Sequence, residues 1–222
     1  MSGQLQSGDD MSLKSVKVAS VFEPPFKRAE DVVQQLFHTM VRSPEEGAIR
    51  VGGERHVLMR CESLFLGWFD AMVASFGEET AREFIYNTAR EIGRSDSVAL
   101  SERLKLTEAI DRLASGPVHF SHAGWAFVDI LEDSAPAEDE NYFIHYHHPN
   151  TFESEVVQRQ GRDMNAPVCL FSAGYSAGWC SHAYGIELHG REIACTALGH
   201  KNCEFIMATA DKLDAHEARL KS

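Results

Sequence analysis

The stretch Cys169–Cys203, CLFSAGYSAGWCSHAYGIELHGREIACTALGHKNC, decides the reading of this chain. It carries four of the five cysteines, Cys169, Cys180, Cys195 and Cys203, with Glu192 and the histidines His182, His189 and His200. Soft thiolates beside a carboxylate or an imidazole in so short a segment are the donor set of a Zn²⁺ site. Cys195 and Cys203 flank a tight turn, Gly199-His200-Lys201-Asn202, which brings their side chains together. Glu192 precedes Cys195 by three residues, and on a regular strand the two face opposite sides. A kink or bulge is therefore needed for both to reach one ion. Cys169 enters from the far end of the preceding helix. Three thiolates and a carboxylate fill a tetrahedron and leave no open position, which is the pattern of a structural site. Cys180, His182 or His200 stands as an alternative for any one ligand. Without a metal the same cysteines read as small buried side chains.

Working outward, residues 170–185 read as a helix packed through Ala173, Gly174, Ser176, Ala177 and Gly178. Leu188–Leu198 and Cys203–Ala208 form the last hairpin, followed by a short charged helix. Upstream, Asn150 or Thr151 is the N-cap of a helix over 151–160. Asn141–His147 reads as a strand returning from Pro117–Leu131, a strand bent at Gly124, across the acidic loop Glu132–Glu140. The N-terminal half reads as helices over about 29–41, 62–76, 79–94 and 105–114, the last stopped by Gly116-Pro117. Ala48–Val51 and His56–Arg60 form a hairpin turned by Gly52-Gly53. Those glycines lack the GxxxxGK[ST] pattern of a phosphate loop. Residues 62–76 are apolar nearly all round, as expected of a buried helix or a dimer face.

These elements give an α+β chain: N-terminal helices and a hairpin, then an antiparallel sheet with packed helices and a zinc-binding C-terminal segment. The expected divisions are a flexible tail over 1–20, a helical, dimerising part over 21–115, a ligand- and zinc-binding part over 116–210, and a helical tail or linker over 211–222.

The net charge of −12 and the lack of any Lys/Arg run exclude a phosphate-tracking surface for nucleic acid. With 222 residues, 44% of them apolar, the chain is long enough for a real core. No apolar run approaches the roughly 20 residues of a membrane helix, and the N-terminus lacks the order of a signal peptide. A cytoplasmic location with reduced thiols follows as the expectation, and an odd, clustered set of cysteines suits a metal better than disulfides.

A second group, His145, His147 and His148, with His119 and His122 on the strand before, reads as a second metal or acid–base site, or as a polar face. GYSAG at 174–178 matches the GxSxG nucleophile elbow in form only. The elbow needs a strand before the serine, and here the serine lies inside a helix. A catalytic role is therefore not expected.

Three segments, NYFIHYHHPNTFESE (141–155), APVCLFSAGYSAGWC (166–180) and REIACTALGHKNCEFIMA (191–208), carry a resemblance to the 4-vinyl reductase domain family. The chain looks like the version found at the N-terminus of phenol- and xylene-responsive transcription activators and of some sensor kinases. The resemblance covers about residues 22–208. It implies a zinc site at Cys169, Glu192, Cys195 and Cys203, with Cys180 outside it. It implies an apolar effector pocket beside that site, in which a His and a Trp hold a phenolic hydroxyl. The Trp position falls on His148, the enclosing rings on Tyr146 and Trp179, and the His position near Phe120 to His122. A histidine at 148 departs from the phenol pattern where specificity is set, and leaves a small, mostly apolar effector as the expectation. The resemblance further implies a fold like the ligand-binding domains of haem-nitric-oxide and Golgi-tethering proteins, a homodimer, and an attached or separate output domain.

The leading expectation is thus a zinc-containing sensor of a small hydrophobic or aromatic molecule in signal transduction or transcription regulation. One alternative is an accessory protein or reductase of tetrapyrrole metabolism, the source of the family's name. The other is an interaction scaffold whose pocket is filled by side chains or a lipid.

Overall fold

The structure is a computed structural model and describes residues 13–222. Residues 1–12 of the expected tail lie outside the described residues. The tail ends earlier than expected, because Val16–Lys17 already forms a strand, β1, with Val16 buried. Helix α1 (Glu23–His38) begins at Pro24-Pro25, six residues before the expected start. Proline suits a first helical turn, where the missing N–H has no partner to lose. A small antiparallel sheet follows, with β2 (Val41–Ser43), β3 (Ala48–Val51) and β4 (Glu54–His56), the last two turned by Gly52-Gly53 as expected. Helices α2 (Cys61–Phe76) and α3 (Glu78–Leu104) break at Gly77. Helix α3 runs ten residues past the expected end at 94 and stops where Lys105 turns left-handed (φ 55°).

The expected strand over 117–131 is mostly helix. Helix α4 spans Ala109–His122 with Pro117 inside it, and only β5 (Val128–Ile130) is strand. The helix also runs through the expected division at 115/116. Gly116-Pro117 looked like a stop, yet Gly116 is a packing residue: a Cβ there would lie 2.6 Å from Trp179 Nε1. Tertiary packing on Trp179 outweighs the local breaking tendency. In consequence His119 and His122 sit on a helix, not on a strand beside His145 and His147.

The remaining elements follow the expected plan: β6 (Ile144–His148), α5 (Phe152–Arg159), α6 (Leu170–Tyr184), β7 (His189–Ala194), β8 (Cys203–Ala208) and α7 (Leu213–Lys221). Thr151 caps α5 in a capping box with Ser154. The main sheet has the order β1-β5-β6-β8-β7, antiparallel except for the β1–β5 pair. Its inner face carries Ile144, Tyr146, Phe205 and Met207 into the core, and its outer face carries Phe143 and Ile206 against Leu213 of α7.

Helix α6 is buried on nearly every side between the sheet and α3. The α3–α6 crossing is a contact of backbone on backbone. A Cβ on Gly174 would lie 2.3 Å from the Tyr86 carbonyl oxygen, and one on Gly178 would lie 1.9 Å from that of Arg90. Gly93 of α3 returns the contact at 2.1 Å from the Tyr175 carbonyl oxygen. The small residues read from the sequence as a packing face are therefore what lets α6 lie so close.

Candidate functional site: a thiol–carboxylate cluster beside an apolar cavity

The pairing of β7 with β8 slips between Glu192 and Ala194. Glu192 faces Phe205, while Ala194 rather than Ile193 faces Glu204. One extra residue on β7 is a β-bulge. Beyond it Cys195 comes level with Cys203, so Glu192, Cys195 and Cys203 share the inner face. Cys169, the N-cap of α6, closes the group. The Sγ atoms of Cys169 and Cys203 are 3.5 Å apart, and those of Cys169 and Cys195 4.0 Å apart. Four ligand atoms, one from each of the four residues, lie within 4.8 Å of one another. Zn–S bonds of about 2.3 Å in a tetrahedron place sulfurs about 3.8 Å apart, between the two observed distances. A disulfide needs about 2.0 Å, and all five cysteines are free.

The surroundings of the cluster suit a cation. Glu192 Oε2 accepts from the Cys169 N–H at 2.8 Å, while Oε1 is buried without a hydrogen-bond partner. Burial raises the Glu192 carboxyl to about 8 and pushes the Cys169 thiol upward. For Cys195 the Cys169 contact pulls downward, but the Cys203 contact and burial outweigh it and the thiol is raised. A buried set of acids that resists ionisation on its own is one that a divalent cation ionises. Outer partners orient the ligands: Thr151 Oγ1 lies 3.1 Å from Cys169 Sγ, and the Thr196 N–H points to Cys203 Sγ at 3.4 Å. The alternatives stand elsewhere. His182 Nδ1 bonds Ser97 Oγ at 2.8 Å, and His200 Nδ1 bonds the Cys195 carbonyl at 3.1 Å within the turn. Cys180 lines the neighbouring cavity, its thiol pushed up to about 12 by burial.

That cavity, about 40 Å³, is walled by α4, β5, β6, α6 and β8. Its lining is almost wholly apolar. Of the residues singled out from the sequence, Phe120, Tyr146 and Trp179 line it. The Trp179 indole N–H already donates to the Arg112 carbonyl at 2.9 Å, so this side chain offers the cavity its ring face. The Tyr146 hydroxyl is buried with no partner. His148 is fully buried just behind the wall, stacked on Phe120 at 5.5 Å. Its Nδ1–H donates to the Phe127 carbonyl at 2.9 Å, Nε2 has no partner, and burial lowers its pKa to about 4. It is therefore a neutral imidazole with one free acceptor. His122 is not at this cavity. It stacks on Phe37 at 5.2 Å and lines a separate, wider cleft toward β3 and β4.

Cluster and cavity share a row of the sheet. Tyr146, Phe205 and Glu192 are cross-strand neighbours on β6, β8 and β7, and the Tyr146 and Phe205 rings stack at 5.1 Å. Sequence reasoning missed two further participants. Tyr175 lines the cavity, and its hydroxyl donates to Asp96 Oδ2 at 2.8 Å while His119 Nδ1 lies 3.2 Å away. Glu153, fully buried and raised to about 7 by burial, accepts from Ser172 N and Oγ at 2.8 Å each, tying α5 to the first turn of α6. Nothing in the spacing marks Tyr175, whose partners come from residues 96 and 119. Glu153 was legible only as an acid in the first turn of its own helix.

With this geometry established, comparison with known proteins places the chain. Residues 150–209 match the 4-vinyl reductase domain, and residues 35–134 match the family described as activator of aromatic catabolism. The transcriptional regulatory protein XylR of Pseudomonas putida is 23% identical over 180 residues, 80% of this chain and 32% of XylR. The phenol regulator MopR of Acinetobacter guillouiae is 24% identical over 195 residues, 87% of this chain and 34% of MopR. The chain thus spans about a third of the length of these relatives. The crystal structure of the phenol-responsive sensory domain of the transcription activator PoxR with phenol superposes with a TM-score of 0.72. That match has 23% identity and covers 86% of this chain and 94% of the other, so the fold is shared. Among the described residues no helix is long and apolar enough to cross a membrane. Carrying its matched C-terminal domain behind an aromatic-catabolism-activator segment, the chain belongs to the 4-vinyl reductase domain family.

Proposed function

We propose that this chain is a sensor domain that binds a small, mostly apolar aromatic molecule and passes its occupancy to a regulatory output. The observation that carries the reading is the aromatic-walled cavity sharing the Tyr146–Phe205–Glu192 row with a preformed ligand cluster. Cys169, Glu192, Cys195 and Cys203 would hold Zn²⁺, which would supply a structural cross-link between α6 and the β7–β8 hairpin. The relatives named as regulators support a role in transcription control by binding rather than catalysis, and free thiols suit a reducing cytoplasm.

At about 40 Å³ the cavity is smaller than the roughly 150 Å³ that admits benzene in an engineered protein core. A ring therefore enters only as the walls part, and the movable wall is α6 with Trp179. Because α6 starts at Cys169, its displacement loads the cluster. Effector binding thereby favours one arrangement of α6 against the sheet, which is the differential affinity a sensor requires. A tetrapyrrole macrocycle would need that wall removed rather than shifted, and the size of the cavity does not favour that reading. The unpartnered Tyr146 hydroxyl and the free Nε2 of His148 define the polar end, fitting a ligand with one hydroxyl or amino group.

The test is calorimetric titration of the zinc-loaded protein with benzene, phenol, aniline and the xylenes, repeated with Trp179→Ala. Saturable one-to-one binding by at least one ring, weakened in the variant while zinc is retained, is expected. Absence of binding by every ring, or unchanged affinity in Trp179→Ala, overturns the assignment. Exposed apolar side chains in the N-terminal half, Val57, Leu58 and Met59 among them, support assembly of two copies through that half.

A further inference from the structure

The outer face of the main sheet carries a second constellation that the sensor reading does not use. Side chains alternate along β6, so Tyr146 and His148 face the core while His145 and His147 face outward. Glu204, directly opposite His147 on β8, faces outward with them, back to back with Cys203. His145 Nε2 lies 2.7 Å from Glu204 Oε1, and His147 Nε2 lies 3.7 Å from Glu204 Oε2. One ligand atom from each of the three residues falls within a 4.8 Å circle. Metal–nitrogen and metal–oxygen bonds of about 2.1 Å in a tetrahedron set neighbouring donors about 3.4 Å apart, between the two observed distances.

The arrangement around His145 points to a ligand role more strongly than an ion pair requires. Its Nδ1–H donates to Asp133 Oδ1 at 2.9 Å, which fixes the ring and aims Nε2 at Glu204. A carboxylate holding the far nitrogen is the usual support of a metal-bound histidine. The His147 Nδ1 lies 3.5 Å from Asn202 Nδ2, in the turn before β8. His145 is nearly buried, whereas His147 and Glu204 are about a quarter exposed at their side chains (24% and 29%), so the group opens to water on one side.

We infer that His145, His147 and Glu204 form a second divalent-metal site, of the zinc type, with Asp133 as the positioning carboxylate. Two imidazoles and one carboxylate suit Zn²⁺ and its neighbours, and a water molecule completes the shell on the exposed side. Bridging the two central antiparallel strands, the ion would tie β6 to β8 on the face opposite the thiol cluster.

Protein whose thiol cluster has been saturated with zinc is titrated with Co²⁺, and the visible d–d absorption is followed. One further equivalent, bound without thiolate-to-cobalt charge transfer, is expected in the wild type and not in His147→Ala or Glu204→Gln. Asp133→Asn should retain the equivalent with about 10–100-fold weaker affinity. A wild type that takes up no further Co²⁺, or variants that take up as much as the wild type, overturn the inference. Charge-transfer bands would show instead that the thiol cluster itself is incompletely filled by zinc. They bear on that cluster alone, since the second site is read from the difference between wild type and variants. Matching thermal transitions of metal-free wild type and variants keep a folding defect from imitating the result.

Discussion

Gly178→Ala tests the α3–α6 contact on which both the cluster and the cavity depend. The added Cβ would start 1.9 Å from the Arg90 carbonyl oxygen and 2.9 Å from the Arg94 nitrogen, both backbone atoms of α3. Real Cβ contacts begin near 3.0 Å, so the helices must separate by about 1.1 Å at this point. No side chain can rotate away to absorb that shift. Overpacking costs about 1–3 kcal/mol, and a backbone-on-backbone clash belongs at the upper end. For a chain of this length each kcal/mol moves the transition by about 2–4 °C, so a drop of about 4–12 °C is expected in calorimetry. Gly67→Ala, on a helix position with nothing within 4 Å of the new Cβ, is the comparison. It should gain about 0.5–1 kcal/mol through helix propensity. Equal Tm values for the two variants, or a Gly178→Ala protein as stable as the wild type, would refute the argument. The displaced α6 should also weaken zinc retention, measured by chelator competition, because Cys169 begins that helix.

Other outcomes follow from the same geometry. Cys195→Ser, or chelation of the wild type, should lower Tm; with free zinc a thousandfold above its Kd the lost linkage is about 4 kcal/mol, and a Tm insensitive to both would exclude a structural ion. His119 is almost fully buried, and burial first, then the charges of His56 and His122, lower its pKa from 6.5 to about 4. Below pH 6.5 the unfolded chain takes a proton there that the folded chain refuses until pH 4, so stability is present above that window and falls through it, by about 3 kcal/mol. His119→Phe should flatten this limb in urea melts run from pH 7 to pH 4, and an unchanged slope would remove His119 as its source. Leu58→Asp, at a side chain 77% exposed, should shift the protein from dimer to monomer in light scattering with little change in Tm. Persistence of the dimer would place the interface elsewhere.

The C-terminal half was the more legible, and the reason is local. Helix α6, the last hairpin and the Thr151 cap are each specified by neighbours in sequence: small residues at helical spacing, a Gly-rich turn, a capping box. The need for a bulge was also readable, because Glu192 and Cys195 cannot share a face without one. The failure at 117–131 arose from contacts between distant residues. Gly116-Pro117 breaks helices in isolation, yet Trp179, sixty-three positions on, fills the space above Gly116 and holds the helix through to His122. The same displacement moved His122 from the cavity to the cleft beside Phe37 and brought His119 to Tyr175. His145 and His147 were read as sharing a face. Their partners Asp133 and Glu204 lie twelve and fifty-seven positions away and became visible only through the strand pairing.

The bulge on β7 also acts as a counting device. With Ile193 present, the ladder resumes one residue late and Cys195 comes level with Cys203. Were Ile193 deleted, the hairpin would close in perfect register, every hydrogen bond of the sheet could form, and the third thiol would point to the outer face. The irregularity therefore links chain length to ligand count. In this family a gap of one residue between the carboxylate and the next cysteine would mark a chain whose sheet survives and whose cluster does not. Substitution at Ile193, by contrast, leaves the count intact. Sequence tolerance at that position should accordingly be broad for residue type and absent for insertion or deletion.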